Sequence, residues 1–528
     1  MQKIFPRVII AATQSGAGKT TITSGILAAL KKRGLNVQPY KVGPDYIDTG
    51  FHEIASGKVS HNLDSWLVGE KKLFESFFMP LERSRIAVIE GVMGLYDCGV
   101  GGVSSTAEIS LILRSPVILV IDAKSMGTSA AAVALGFREF DKNVNLAGVI
   151  LNRVGSDSHK KIIVDALEKI NIKCFGAIKR NAEFVLPERH LGLVPTAENN
   201  FAGIIEKICA TVESELDIDK IIEVANSAPA VNIEIPAVKK ISSKCFGAIK
   251  RNAEFVLPER HLGLVPTAEN NFAGIIEKIC ATVESELDID KIIEVANSAP
   301  PVQIQNYSTI TLPHYHTKIA VAKDAAFNFY YEESLQELEK LGAEIVYFSP
   351  LDDEKLPENI SGLIIGGGFP EMFAEKLQSN KKIRAAIRTA AENNLPIYAE
   401  CGGFMYLMNT ITDFGGRNFE MCGVIPARAF MTDKLQMVGY VEAEILQDCI
   451  IGKAGDKLHA HEFHFSTAET DRNIFACKRI RTGKIFRAGF FTENIVASYL
   501  HIHFAGCPRA AENFVNACNN YNSFSGIV

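Results

Sequence analysis

Short, uninterrupted apolar runs alternate with longer amphipathic stretches along most of this 528-residue chain. Continuous apolar runs of this length are typical of parallel strands that are buried on both faces. A helical pattern over 19–33 separates two of them, so the alternation predicts an α/β, doubly wound fold. The runs in this part of the chain are RVIIAA (7–12), IAVIE (86–90), VILVID (117–122) and AGVILN (147–152).

A second series of the same kind begins after about residue 316. Its runs are KIAVAK (318–323), EIVYFS (344–349), GLIIGGG (362–368) and PIYAEC (396–401). We therefore predict two doubly wound parallel-sheet domains, over 1–229 and 316–528, with a linker and a duplicated segment over 230–315.

The duplicated segment is an internal repeat. Residues 173–229 recur without a single change at 244–300. Repeat architectures need about three units that diverge, so two identical copies indicate a recent tandem duplication or an error of sequence assembly, and not a solenoid. The first copy follows directly from a predicted helix at 159–170, so we expect it to complete the first domain. Residues 230–300 should then be a poorly anchored insertion, with some population of the swapped arrangement in which the second copy docks, and damage to the protein by the duplication is left open.

Composition narrows the function classes. The chain is 47% hydrophobic and 22% charged, with a net charge of -6, which is typical of a globular protein and not of a nucleic-acid binder. No stretch approaches the ~20 apolar residues of a membrane span, and the first apolar run is too short for a signal peptide. The eleven cysteines lack CxxC or Cys/His metal spacing. Reduced thiols and a cytoplasmic location are therefore expected.

A phosphate-binding loop follows the first predicted strand. Its sequence is TQSGAGKTT, in which Gly16 and Gly18 let the backbone curl toward an anion at the start of a helix. Lys19 would reach the β- and γ-phosphates of a nucleotide and Thr20 would ligate Mg²⁺, with Thr21 beside it. The strict motif has glycine where this chain has threonine at position 13, and an ordinary tight turn is the alternative.

Carboxylates for the magnesium come from two other segments. Glu90 ends a predicted strand, at the edge of the sheet where ligands of open α/β folds bind. Asp45 and Asp48 lie on the Gly/Pro-containing segment KVGPDYID. Taken alone, Glu90 could also be a solvated residue at a strand end, and the aspartates could simply form a turn after the proline.

A cysteine in the second half has the surroundings of a nucleophile. Cys401 directly follows a predicted strand and precedes two glycines and a helix, and a helix N-terminus lowers the pKa of a thiol. Gly367 and Gly368 follow another strand and can aim N–H groups at an oxyanion. His501 is the candidate base, although His503 is close by and inert core packing of the cysteine is the alternative.

Several longer motifs resemble one family, the cobyrinate a,c-diamide synthases, over nearly the whole chain apart from one copy of the repeat. In the first half the motifs are KVGPDYIDTGFH (41–52), NLDSW (62–66), EGVMGLYD (90–97) and STAE (105–108). In the second half they are GLIIGGGFPE (362–371), YAECGGFMYL (398–407), HEFH (461–464) and ASYLHIHF (497–504).

The resemblance implies a P-loop NTPase-like domain followed by a flavodoxin-like glutamine amidotransferase domain. It implies that ATP activates a tetrapyrrole carboxylate as an acyl phosphate, and that ammonia from glutamine then forms the amide. By family position it assigns the metal to Thr20, Asp45 and Glu90. Asp48 and Asp97 would help to place metal or intermediate, and Asn152 lies where related folds read adenine. Glutaminases of this class commonly read His-x-Glu, so His503 leaves open what orients His501.

Other interpretations remain at this point. The macrocycle could be cobyrinate, hydrogenobyrinate or nickel sirohydrochlorin, because all present paired acetate side chains. A nucleotide-dependent switch of the partitioning-ATPase kind is a different class, which Cys401 argues against. The HEFH motif is interpreted as lining a pocket and not as a zinc site. A homo-oligomer is left open, and no nucleic-acid or membrane partner is expected.

Overall fold

The computed structural model describes residues 6–81, 86–97, 103–179, 248–250, 259–260, 263–264, 273–297 and 317–525. The chain forms two compact units. The first comprises residues 1–65 and 73–307, and the second comprises residues 66–72 and 308–528. Among the helices of the described residues, none combines the length and apolar character needed to cross a membrane.

The first unit contains parallel strands connected by helices. Its strands are β1 (Arg7–Ala12), β2 (Val37–Val42), β3 (His61–Leu63), β4 (Ile86–Glu90), β5 (Val117–Asp122), β6 (Leu146–Val154), β7 (Cys174–Lys179), β8 (Ala248–Lys250), β9 (Glu259–Arg260) and β10 (Gly263–Leu264). The helices, numbered along the chain, are α1 (Lys19–Lys32), α2 (Ile47–Ser56), α3 (Ser65–Leu81), α4 (Thr106–Ile112), α5 (Ser129–Phe140), α6 (Asp157–Lys169), α7 (Ala273–Glu286) and α8 (Ile289–Asn297). Helix α3 consists of two pieces that meet at Gly69, and its residues 66–72 belong to the second unit.

Eight of these strands form one parallel sheet in the order β3-β2-β4-β1-β5-β6-β7-β8. The strand order reverses beside β1, which places the loop after β1 at a switch point of the sheet. The four strands predicted in this half are confirmed, because β1, β4 and β5 have the predicted bounds and β6 contains the predicted run. Apart from the partly buried Ala147, their apolar residues are buried, as expected of a sheet that is covered on both faces.

The two copies of the repeat both contribute to this unit. Strand β7, from the first copy, pairs with β6, and the short β8, from the second copy, pairs with both. Helices α7 and α8 also come from the second copy. Their apolar side chains lie in the same core cluster as α1 and the sheet, with Ile279 and Ile292 fully buried.

Close contacts anchor these two helices. A Cβ atom at Gly25 would overlap Val283, so α1 and α7 approach at a point where only glycine fits. Lys32 pairs with Glu284 at 3.3 Å and Arg33 with Asp290 at 2.9 Å. The residues of the first copy that correspond to α7 and α8 lie outside the described part of the chain.

The expectation that residues 230–300 are mainly a poorly anchored insertion is therefore wrong for 273–297, which dock as expected only for the minor, swapped arrangement. The sheet also contains a strand from each copy, since β7 and β8 both belong to it. The physical reason is that the entropy of loop closure differs little between docking the first copy and docking the second. Lengthening the connection between β7 and α7 from about 20 to about 90 residues costs only about 1 kcal/mol in closure entropy.

The second unit holds a parallel core and two additional sheets. Its strands are β11 (Thr317–Ala322), β12 (Ala343–Phe348), β13 (Gly362–Ile365), β14 (Ile397–Glu400), β15 (Met408–Thr412), β16 (Asn418–Glu420), β17 (Ile425–Met431), β18 (Met437–Ile445), β19 (Lys457–His464), β20 (Ser466–Thr467), β21 (Phe475–Arg479), β22 (Ile485–Ala488), β23 (Phe490–Phe491), β24 (Ile495–Ser498) and β25 (His501–Ile502). Its helices are α9 (Glu332–Lys340), α10 (Ala374–Ser379), α11 (Lys381–Glu392), α12 (Gly402–Leu407) and α13 (Pro508–Ser525), with a 3₁₀ helix over Pro370–Phe373.

The central sheet of this unit runs β12-β11-β13-β14-β24-β23, and all its pairings are parallel except that of β23 with β24. The α/β prediction for the second half is thus confirmed. Sequence patterning did not predict the two additional sheets, β16-β15-β17-β20 and β22-β21-β18-β19-β25. The second of these sheets positions the site, because β19 and β25 place His461 opposite His501.

Candidate active sites

The phosphate loop has the backbone that its glycines require. Gly16 and Gly18 have φ values of 74° and 93°, in the region that favours glycine, and Gly18 is the N-cap of α1. Lys19, Thr20 and Thr21 are the first three residues of that helix. Lys19 Nζ donates to the carbonyl of Met93 at 2.6 Å, which keeps the ammonium at the mouth of the loop. Burial, with repulsion from Lys41, lowers the pKa of Lys19 to about 8.

Glu90 is the centre of a buried polar cluster beside this loop. Its Oε1 accepts from Thr20 Oγ1 at 2.7 Å and from Lys41 Nζ at 3.1 Å. Its Oε2 lies 2.6 Å from His52 Nε2. The parallel register places Lys41 of β2 directly opposite Glu90 of β4. Burial alone would raise the pKa of Glu90, but Lys41 and His52 hold it well below its usual range.

The two aspartates of the KVGPDYID segment have different surroundings. Asp48 Oδ2 pairs with Lys41 Nζ at 2.6 Å. Asp45 Oδ1 accepts the N–H groups of Ile47 and Asp48 at 2.8 and 3.0 Å, and so caps the start of α2. Burial, and then repulsion from Asp45 and Glu90, raises the pKa of Asp48 well above its usual value. The three carboxylates of Asp45, Asp48 and Glu90 thus interact with two ammonium groups, those of Lys19 and Lys41.

Two further predicted residues border the loop. Asp97 Oδ2 accepts the N–H of Gly94 at 3.1 Å and so shapes the segment that receives Lys19. Asn152, in β6, donates from Nδ2 to the carbonyl of Ala17 at 2.8 Å. A Cβ atom at Gly18 would overlap the Asn152 amide, so Asn152 packs directly against the phosphate loop. Its predicted contact with adenine stays a prediction.

The donor set of this cluster fits a magnesium ion bound together with a nucleotide. Thr20 and Glu90 offer hard oxygen ligands that already lie 2.7 Å apart, and the excess of carboxylates favours a divalent cation. In the described part of the chain, no three His, Cys, Asp or Glu side chains form a metal cluster by themselves. Mg²⁺ is usually held by one or two carboxylates together with phosphates of the substrate, and here Thr20 and Glu90 would hold it.

The second centre is built on a sharp turn after β14. Cys401 has φ 47° and ψ −102°, a conformation that non-glycine residues seldom adopt and that often marks a functional position. Two backbone hydrogen bonds brace the turn, from Cys401 N–H to Ser498 O at 2.7 Å and from Gly403 N–H to Gly366 O at 3.0 Å. Helix α12 begins at Gly402, so its N-terminus points positive charge toward the thiol.

Backbone N–H groups for an oxyanion lie beside this turn. Neither Gly368 nor Gly402 donates its N–H to another group within the described residues. A Cβ atom at Gly402 would lie 3.0 Å from Gly368 N, so the two N–H groups are neighbours. Gly367 faces the ring of His501, because a Cβ atom there would lie 2.6 Å from His501 Cε1. The structure thus adds Gly402 to the predicted pair.

His501 is the histidine that faces Cys401. It is 1% exposed and hydrogen-bonds to Cys401, while its Nδ1 lies 3.4 Å from Glu400 Oε2. Burial alone would lower the pKa of His501, but Cys401 and Glu400 raise it to about 10. His503 points elsewhere, since it stacks on Tyr331 at 4.5 Å between ring centroids. Burial lowers the pKa of His503 to about 4.

The HEFH residues surround this centre from β19. The His461 ring centroid lies 6.5 Å from that of His501, and burial lowers the pKa of His461 to about 3. Glu462 is buried and its pKa is raised to about 7 by burial. His464 stacks on Tyr499 at 3.9 Å. The carbonyl of Phe463 lies 3.7 Å from Cys401 Sγ, so the motif lines the nucleophile's pocket.

Sequence reasoning missed four residues that contribute to these centres: Lys41, His52, Gly402 and Glu400. Two signals were present in the sequence. Lys41 and His52 lie inside the motif KVGPDYIDTGFH, and Glu400 and Gly402 flank the predicted nucleophile. Their roles depend on cross-strand register and side-chain direction, which the sequence does not display.

Comparison with known proteins identifies a family for each half of the chain. The description "CobQ/CobB/MinD/ParA nucleotide binding domain" matches residues 8–194, and "CobB/CobQ-like glutamine amidotransferase domain" matches residues 318–508. The chain is 38% identical to a cobyrinate a,c-diamide synthase of Dehalococcoides mccartyi, over 98% of this chain and 99% of that protein.

Two other relatives cover similar shares. A cobyrinate a,c-diamide synthase of Caldanaerobacter subterraneus is 37% identical, over 97% of this chain and 98% of that protein. A hydrogenobyrinate a,c-diamide synthase of Streptomyces coelicolor is 35% identical, over 97% of each chain. A solved glutamine amidotransferase matches 38% of this chain and 98% of its own length, at 16% identity and a TM-score of 0.29.

Proposed function

The chain belongs to the cobyrinate a,c-diamide synthase family, whose members are glutamine-dependent amide-forming ligases, and on that premise we propose that it amidates the a- and c-acetate groups of cobyrinate. ATP would activate each carboxylate, and glutamine hydrolysis would supply ammonia. The observation that carries the proposal is that one chain holds a phosphate loop with a carboxylate cluster and a separate Cys–His centre.

Carboxylate activation belongs to the first centre. A carboxylate is a poor electrophile, and transfer of the γ-phosphoryl group of ATP to its oxygen creates an acyl phosphate with a good leaving group. Lys19 would exchange its contact with Met93 for the β- and γ-phosphates. Mg²⁺, held by Thr20 and Glu90 with Asp45 close by, would neutralise charge on the phosphates. Ammonia then attacks the acyl carbon and phosphate leaves.

Lys41 and the second aspartate organise this centre. Lys41 ties Asp48 to Glu90 through contacts of 2.6 and 3.1 Å, so that the carboxylates keep a fixed spacing. Asp48 and Asp97 are proposed to position the metal or the acyl phosphate. Asn152 supports the phosphate loop through Ala17 and is proposed to contact the adenine as well.

Glutamine hydrolysis belongs to the second centre. Cys401 would attack the side-chain amide carbon of glutamine after His501 takes the thiol proton. The N–H groups of Gly367, Gly368 and Gly402 would stabilise the oxyanion. His501 then gives the proton to the leaving ammonia, and water hydrolyses the thioester on Cys401 to release glutamate.

Hydrogenobyrinate is the second candidate substrate, because the relative from Streptomyces coelicolor bears that name. The test is to incubate the purified protein with ATP, Mg²⁺ and glutamine and with each macrocycle in turn, including nickel sirohydrochlorin. Mass spectrometry of the products then counts the amides. A diamide from cobyrinate, at a higher kcat/KM than from the other two, supports the proposal. Amidation of none of them, with ATP hydrolysis intact, would reject it.

A further inference from the structure

A buried carboxylate directly precedes the nucleophile. Glu400 is the last residue of β14 and is 8% exposed. It pairs in register with Ser498 of β24, so its backbone is fixed by the central sheet. A buried carboxylate needs hydrogen-bond donors to remain ionised. The neighbours of Glu400 therefore decide what it does.

Those neighbours hold the carboxylate in one orientation. Its Oε1 accepts the N–H of Ile502 at 2.9 Å and the hydroxyl of Tyr398 at 2.5 Å. The other oxygen, Oε2, lies 3.4 Å from His501 Nδ1. Two donors on one oxygen leave the second oxygen to face the imidazole. The strand that carries the nucleophile thus also carries a carboxylate directed at its base.

A second residue close to His501 in sequence does not orient its imidazole. His503, two residues after His501, would be the first choice by spacing. Its ring is instead stacked on Tyr331, and its Nε2 lies 3.9 Å from Glu333 Oε2. Burial lowers the pKa of His503, and an imidazole supplies no negative charge in either protonation state. Of the residues that the structure describes, Glu400 is the carboxylate paired with His501.

We propose that Glu400 is the positioning residue that orients His501 and stabilises its protonated form during glutamine hydrolysis. This inference rests on the roles proposed for Cys401 and His501. With Nδ1–H directed at Glu400, His501 presents Nε2 to the thiol. The proton moves from Cys401 Sγ to Nε2, and no proton is transferred to Glu400 in this step. A thiolate–imidazolium pair forms, and the adjacent carboxylate stabilises its cation.

The first test is kinetic. In Glu400→Gln, glutaminase kcat should fall by about 10²-fold or more, because the imidazole loses its preferred tautomer and the partner of its cation. KM for glutamine should change less than about threefold. Amide synthesis from added ammonia should keep its wild-type rate. Glu400→Asp, which retains the charge, should recover part of kcat. Glu420→Gln, a 72% exposed carboxylate, is the control and should behave as wild type.

The second test measures the thiolate–imidazolium pair of Cys401 and His501. The rate of Cys401 alkylation by iodoacetamide, followed by mass spectrometry of its peptide, reports the thiolate as a function of pH. Loss of Glu400 should lower the pKa of His501 and therefore slow alkylation near pH 6–7. A distorted site would change KM as well, whereas a positioning role changes kcat and the alkylation profile.

Each outcome supports or overturns the inference. Wild-type kcat and an unchanged alkylation profile in Glu400→Gln overturn it. If Glu400→Gln does not fold, Glu400→Asp replaces it as the test. For that variant, a glutaminase kcat lowered at least tenfold at unchanged KM supports the inference, and a wild-type kcat overturns it. Glutaminase activity that survives in Cys401→Ser would instead refute the assignment of Cys401 as the nucleophile. This measurement therefore distinguishes an error in the proposed function from an error in the role of Glu400.

Discussion

Replacing Lys41 with methionine tests the carboxylate cluster of the first centre. Methionine keeps most of the length and apolar stem of lysine and removes only the ammonium. In the wild-type protein that ammonium contacts Asp48 at 2.6 Å, Glu90 at 3.1 Å and the carbonyl of Gly91 at 3.0 Å. The side chains of Lys41 and Glu90 are 3% and 0% exposed, so water does not replace the lost contacts.

The structure sets the magnitude and the pH dependence. Removing one partner of a buried ion pair costs about 3–5 kcal/mol, because the remaining charge stays buried. The pKa of Asp48 is already raised by burial and by its carboxylate neighbours, and loss of Lys41 raises it further. A raised folded pKa gives stability that is present at low pH and lost as pH rises. The variant should therefore be more strongly destabilised at pH 8 than at pH 5.5.

The assay is urea unfolding of the full chain at both pH values, with and without Mg²⁺ and ATP. Lys142→Met is the matched control, because Lys142 is 73% exposed and pairs only at the surface. Mg²⁺ with ATP should restore part of the stability, because the bound cation would supply positive charge beside the carboxylates and because a ligand that binds only the folded protein stabilises it. Amide formation from ammonia should be lost while glutaminase activity survives. A Lys41 variant within about 1 kcal/mol of wild type at pH 8 would refute this description of the cluster.

Three further predictions concern the first unit. Gly18→Ala should abolish amide formation, because a Cβ there meets the Asn152 amide at a φ of 93°; Gly34→Ala, also at positive φ but with open space around it, should keep the activity. Deleting 230–300 should preserve melting temperature and synthase rate, since one copy supplies a strand and both helices; a deletion variant that does not fold would contradict this. Val283→Asp alone should be tolerated, because the identical first copy can dock in place of the second. The double variant Val212→Asp with Val283→Asp should unfold the first unit. Equal stability of the single and double variants in urea unfolding would exclude this exchange of copies.

The parallel sheets could be predicted because their apolar runs are long and bounded by glycine-rich turns. Strand β2 was harder, since Pro39 and Lys41 interrupt its apolar pattern, although both are accommodated in the sheet. The partnership of Lys41 with Glu90 follows from the register between β2 and β4. Register depends on packing of the whole sheet, so the sequence could not give it.

The second centre shows the same limit. Cys401 was predictable from its strand and following glycines, but Glu400 was not, because residues next to one another on a strand usually point to opposite faces. The turn at Cys401 breaks that alternation and lets both side chains meet His501. The repeat was visible in the sequence, but its two copies have identical side chains. Packing energy therefore cannot determine which copy docks on the sheet.

The central claim is that one chain makes ammonia at Cys401 and uses it at a separate ATP centre. The most direct measurement compares Cys401→Ser with wild type for amidation of cobyrinate, with glutamine or with ammonium as nitrogen source. We predict that the variant forms the diamide from ammonium at the wild-type rate and forms none from glutamine. Loss of both activities in a folded variant, or retention of both, would contradict the claim.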